Sequence, residues 1–172
     1  MVLLRPVPAY PAETPLQRLC AVELFVVCTS RFWVADYRDD DCEYVSWRRG
    51  FAHAGISEEG AEGFDALLWV IAASARRTLD VRDVRCPRVG DDEAWLLQLV
   101  GSLQRDRLAE AVAILSDWLL PTGVRLALGP AQRLASALAG RALRIPDRRI
   151  DPSVGEGAVP ARPMARTSVL VH

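Results

Sequence analysis

The chain has no lysine: all 21 basic side chains among its 172 residues are arginine. That absence excludes a Schiff-base lysine and the lysine of a phosphate-binding loop. Histidine is almost as scarce. His53 and the terminal His172 are the only imidazoles, so a histidine-dependent triad or a multi-histidine zinc site is poorly supported. The four cysteines, Cys20, Cys28, Cys42 and Cys86, include no Cys-x-x-Cys pair, and the N-terminus lacks the apolar segment and cleavage site of a secretory signal. Reduced thiols and a cytoplasmic location are the expectation. The longest apolar stretch, residues 19–34, is interrupted by Glu23 and Arg31 and falls short of the roughly 20 residues a bilayer span needs, so no membrane span is expected. Glycine-rich cofactor loops are also missing, since Gly155 and Gly157 precede no helical pattern, and no cofactor is expected.

What remains is a chain 51% hydrophobic and 25% charged, with net charge −1, mean hydropathy +0.10 and a pI near 6.1. Such a composition supports one compact domain with an ample core. Residues 1–13 carry Pro6, Pro8 and Pro11 and predict an extended arm. Residues 14–145 read as a single all-α domain, a compact bundle of about six helices, and residues 146–172 as an irregular, flexible tail rich in Pro, Gly and Arg.

The first helix is expected to start at Thr14, Pro15 and Gln17, a capping arrangement, and to be apolar nearly all round through residue 34. Asp40 and Glu43 suggest a capping box for a second helix over residues 41–54, closed by Gly55. Ser57 caps a third, whose early acids Glu58, Glu59 and Glu62 and late Arg76 and Arg77 suit the helix dipole. Asp91 is the expected cap of a fourth. Its apolar stripe changes direction near residues 104–106, which predicts a hairpin of two helices there. A short segment after Pro121 and a main helix over residues 130–143 complete the set, with Pro146 ending it.

Few residues invite chemistry. Glu23 lies in the apolar first helix and needs a partner, or else contributes to a pocket with Trp69 and His53. The run Asp39, Asp40, Asp41, Cys42, Glu43 lacks the glycine and terminal glutamate of a calcium loop, and no metal site is expected. Cys20 and Cys28 read as small core side chains, whereas Cys86, beside Arg85 in a loop, is the candidate reactive thiol. The five tryptophans fall one to each of the first five helices and read as core.

Charge distribution is the more informative signal. Residues 14–65 hold five arginines against ten acids, and residues 119–172 hold eight arginines against three. On the last predicted helix, Arg133, Arg141 and Arg144 share an arc beside Leu134 and Leu138. The leading expectation is therefore a non-enzymatic interaction protein that meets an acidic protein partner, or a second copy of itself, through this face. A small-molecule binder or enzyme with a pocket around Glu23 is the first alternative. A nucleic-acid-binding regulator is the second, disfavoured by the slightly negative net charge.

Overall fold

The structure is a computed structural model that describes residues 9–38 and 46–148. It is all-helical: α1 (Ala21–Arg38), α2 (Trp47–His53), α3 (Glu58–Ser74), α4 (Asp91–Leu103), α5 (Leu108–Trp118) and α6 (Pro121–Gly140). Among the described residues there is no strand, only isolated bridges between Pro15 and Arg88 and between Ala75 and Leu119. No described helix is long and apolar enough to cross a membrane. Most of the expected arm (residues 1–8), the Asp39–Glu43 run with its predicted cap, and the tail from residue 149 lie outside the described residues.

The first helix begins later than the capping pattern predicts. Thr14 and Leu16 hydrogen-bond through their backbones to Val89 and Pro87, and Thr14 Oγ1 donates to Pro11 O, so the Thr14 hydroxyl is not a cap. A short 3-10 turn, Leu16–Arg18, follows. Glu23 then performs the capping role by accepting from the Cys20 amide at 2.7 Å. At α3 the expected cap is present, Ser57 Oγ accepting from the Gly60 amide. Gly90, rather than Asp91, precedes α4, and its amide is held by the Glu93 carboxylate at 2.7 Å. The predicted break after α4 is real: residues 104–107 separate the two helices, and Asp106 turns with φ 56°.

Helix α6 differs most from expectation. Pro121 and Pro130 belong to one continuous 20-residue helix, which ends at Gly140 instead of running on to residue 143. Pro130 removes one backbone hydrogen bond, and α6 tolerates it because its length is packed along α3. That packing requires small residues. A Cβ at Gly60 would lie 2.4 Å from the Ala137 Cβ, and one at Gly63 would lie 2.9 Å from the Pro130 carbonyl oxygen. After α6, Leu143 N–H reaches back to Leu138 O and Ala142 N–H to Ala139 O, with Ala142 held at φ 59° where glycine is usual.

Two stability changes follow. Gly60→Ala should destabilise the protein by about 1–3 kcal/mol through overpacking of the α3–α6 seam. Ala142→Gly should stabilise it by about 1 kcal/mol by relieving left-handed strain. Urea unfolding midpoints at constant m-value read both.

Candidate functional site

Arg31 is in the middle of apolar α1, and its side chain is 1% exposed. A guanidinium there must satisfy five N–H donors, and it does. Nε and Nη2 donate to Glu93 at 2.7 and 2.8 Å, Nη1 to the carbonyls of Cys86 and Asp83 at 2.6 and 3.2 Å, and Nη2 also to Arg88 O at 2.6 Å. Glu93 in turn accepts from the amides of Arg82 and Gly90, so both its oxygens are doubly occupied. Burial would lower the affinity of Arg31 for its proton, but the Glu93 hydrogen bonds and charge outweigh that and raise it. The pair therefore pins the irregular residues 80–90 onto α1 and α4.

One residue earlier on α4, Asp92 accepts two bonds from Arg77, at 2.7 and 2.8 Å, one from the Asp80 amide and one from Trp118 Nε1. Burial pushes the Asp92 carboxyl up, and these bonds more than offset it, holding the group below its ordinary range. Arg77 also reaches Asp117 at 2.9 Å.

Between α1, α3, α4 and the end of α5, beside these two carboxylates, lies a cavity of about 240 Å³. Its depth is apolar and aromatic: Trp33, Leu68, Ile71, Leu96 and Trp118 line it and are buried. Tyr37, Arg38, Ala72 and Thr78 line it and are exposed, so they frame its mouth. Tyr37 stacks on Trp33 with centroids 5.2 Å apart, and Trp69 meets both rings edge-on.

Most of the residues singled out from sequence fall elsewhere. Glu23 does not line this cavity and has no room for an acid–base role. It is fully buried and accepts from Tyr10 Oη, the Cys20 amide, and Arg148 Nε and Nη2, at 2.6–2.7 Å. Burial pushes its carboxyl up, but the Arg148 and Tyr10 hydrogen bonds prevail and leave it lowered, the reverse of a catalytic acid. His53 is exposed at the end of α2, and Trp69 is 52% exposed beside the aromatic mouth; like Glu23, neither lines this cavity. Cys86 is half-buried in the 80–90 loop, where its carbonyl accepts from Arg31. Cys20 is exposed at the start of α1, not a core side chain as expected.

The arginine face is also rearranged. Arg133 is on α6, whereas Arg141 is its C-cap and Arg144 lies beyond the helix, so the three do not share one helical arc. All three are exposed, and none makes an ion pair among the described residues. Leu134 and Leu138 are 0% exposed and belong to the core, so they cannot serve as contact surface. Among the described residues no cluster of three metal-ligating side chains occurs.

Sequence reasoning missed Arg31, Arg77, Asp92 and Glu93. The available signal was Arg31 itself, a cation inside a continuous apolar run, which requires a buried counter-charge.

Arg31→Met should cost about 3–5 kcal/mol because it leaves Glu93 buried without its cation. The double variant Arg31→Met/Glu93→Leu should cost less than the sum of the two single changes, measured as a coupling energy from urea unfolding. Acid should also destabilise the fold. The lowered carboxyls of Glu23 and Asp92 contribute stability above the unfolded value of about 4, and that contribution is lost as pH falls through their folded values. The urea midpoint should therefore drop below about pH 4, and drop less in Asp92→Asn when each protein is referred to its own midpoint at pH 7.

No protein-family model, no curated protein and no solved structure matches the chain.

Proposed function

We propose that the protein is a non-enzymatic binder of a small apolar molecule held in the cavity between α1, α3 and α4. The observation that carries this reading is the cavity wall: buried Trp33 and Trp118 rings with aliphatic side chains around about 240 Å³, open to solvent on one side. An apolar cavity of roughly 150 Å³ already accommodates benzene, so this volume suffices for a substituted ring. Concave apolar sites with a few fixed polar groups are the usual form of small-molecule sites. Binding is favoured over catalysis because the lining carboxylates of Asp92 and Glu93 have their lone pairs engaged by the protein.

A second reading keeps the docking of an acidic protein partner. Arg133, Arg141 and Arg144 favour it by being exposed without an intramolecular counter-ion among the described residues. Leu126, 60% exposed and two turns before Arg133 on α6, replaces Leu134 and Leu138 as the apolar contact in this reading. Glu59, which shares a groove with Arg133, would orient such a partner by repulsion. A cytoplasmic setting belongs to the same proposal and is supported by the unbridged Cys20, Cys28 and Cys86.

For the cavity, toluene should shift the tryptophan emission and raise the melting temperature. Ala72→Phe, which places a ring at the mouth, should weaken toluene binding about tenfold or more with helix content unchanged. No response to toluene in the parent protein rejects the reading. For the arginines, the full chain should be retained on immobilised polyglutamate at low salt, and Arg133→Glu/Arg141→Glu/Arg144→Glu should not be. Retention on DNA instead assigns the face to nucleic acid, and self-association lost in the triple variant assigns it to a second copy.

A further inference from the structure

Resting on the cavity-binding reading, we infer that the ligand is neutral: a molecule of one or two rings recognised by shape and aromatic contact, with no charged group entering the depth of the site. The argument is a donor and acceptor balance. A carboxylate offers about four lone-pair directions. Asp92 receives four hydrogen bonds, from Arg77 Nη1 and Nη2, the Asp80 amide and Trp118 Nε1. Glu93 receives four as well, from Arg31 Nε and Nη2 and the amides of Arg82 and Gly90. Neither has a free direction for a cationic ligand.

An anion fares no better in the depth. Arg77 has both terminal nitrogens engaged, with Asp92, Asp117 and Thr78 O, and taking it from Asp92 would strand a carboxylate that is 4% exposed. Removing one partner of a buried pair is strongly unfavourable, so a ligand anion would have to overcome that cost in addition to its own desolvation. Arg38, the other cation of the lining, is exposed at the mouth, where water screens it.

Three hydroxyls of the lining retain hydrogen-bonding capacity among the described residues, that of Thr78 at the exposed mouth being one. The Ser30 hydroxyl donates to Val27 O at 2.8 Å and keeps lone pairs to accept with. The Tyr37 hydroxyl has no hydrogen-bond partner among the described residues and stands on a 48% exposed ring. They allow a ligand one hydroxyl or ring N–H. The volume limits the rest: about 240 Å³ admits a substituted ring or a small bicycle in the depth of the site.

The test holds the ring constant and varies the charge: toluene, benzoate and benzylammonium at pH 7, titrated against the full chain by tryptophan emission and melting temperature. Toluene should bind, and both ions should bind about tenfold or more weakly. Arg77→Met, at a side chain 40% exposed, releases Asp92 and should shift preference toward benzylammonium by a similar factor, with circular dichroism confirming the fold. Benzoate or benzylammonium matching toluene in the parent protein overturns the neutrality inference and leaves cavity binding standing. Failure of all three probes to bind removes the cavity reading itself.

Discussion

The ion pair between Arg31 and Glu93 is the constraint on which the rest of the architecture depends. Both side chains are out of water, at 1% and 0% exposure, so the pair is tolerable only because its remaining hydrogen-bonding groups are also matched. Matching them recruits three carbonyls and two amides from residues 82–90. An irregular segment that would otherwise drift thus becomes part of the core, and Val89 at 2% exposure is its apolar anchor. The same segment carries Thr14–Leu16 by backbone pairing, so the start of the domain is fixed through the pair as well.

Two further buried carboxylates follow the same rule. Asp92 ties the end of α5 to α4 through Trp118 and Arg77, and Glu23 ties the arm and the chain after α6 to the start of α1 through Tyr10 and Arg148. Each is held by four donors. The consequence for function is that the carboxylates beside the cavity are committed to architecture, and the space left beside them is apolar. The cavity is a by-product of that arrangement in position and of the tryptophans in character. Trp33 and Trp118 leave a gap between α1 and α5 that the small side chains of Ala72 on α3 and Ala75 just after it do not fill.

Helix content was largely legible because it follows from local signals. The Ser57 cap, the change of stripe near Gln104 and the Pro121 start all act within a turn or two of chain. The exceptions have a common cause. Thr14 and Pro15 form a good capping pattern, yet backbone pairing with residues 87–89 wins, and that partner is more than 70 residues away. Pro130 is a good helix start, yet α6 runs through it because Gly60 and Gly63 let α3 approach closely. The arginine arc failed for a related reason. It assumed that the helix continues to residue 143, while closure at Leu138 and Ala139 placed Arg141 and Arg144 outside the repeat. The pocket was illegible for a different reason: its lining comes from four helices and a loop, and no periodicity encodes their mutual position.

Sequence by itself determined the all-helical class, the roughly six helices found among the described residues, and the lack of lysine and near-lack of histidine chemistry, because each depends on composition or on residues within a few positions of one another. It also contained the requirement that Arg31 and Glu23 find partners, since a charge among apolar neighbours cannot remain unpaired. Tertiary structure alone decided which partners these were, which leucines became core and where space remained. Those outcomes depend on how helices distant in sequence come together in space, and a linear chain does not encode distance across a fold.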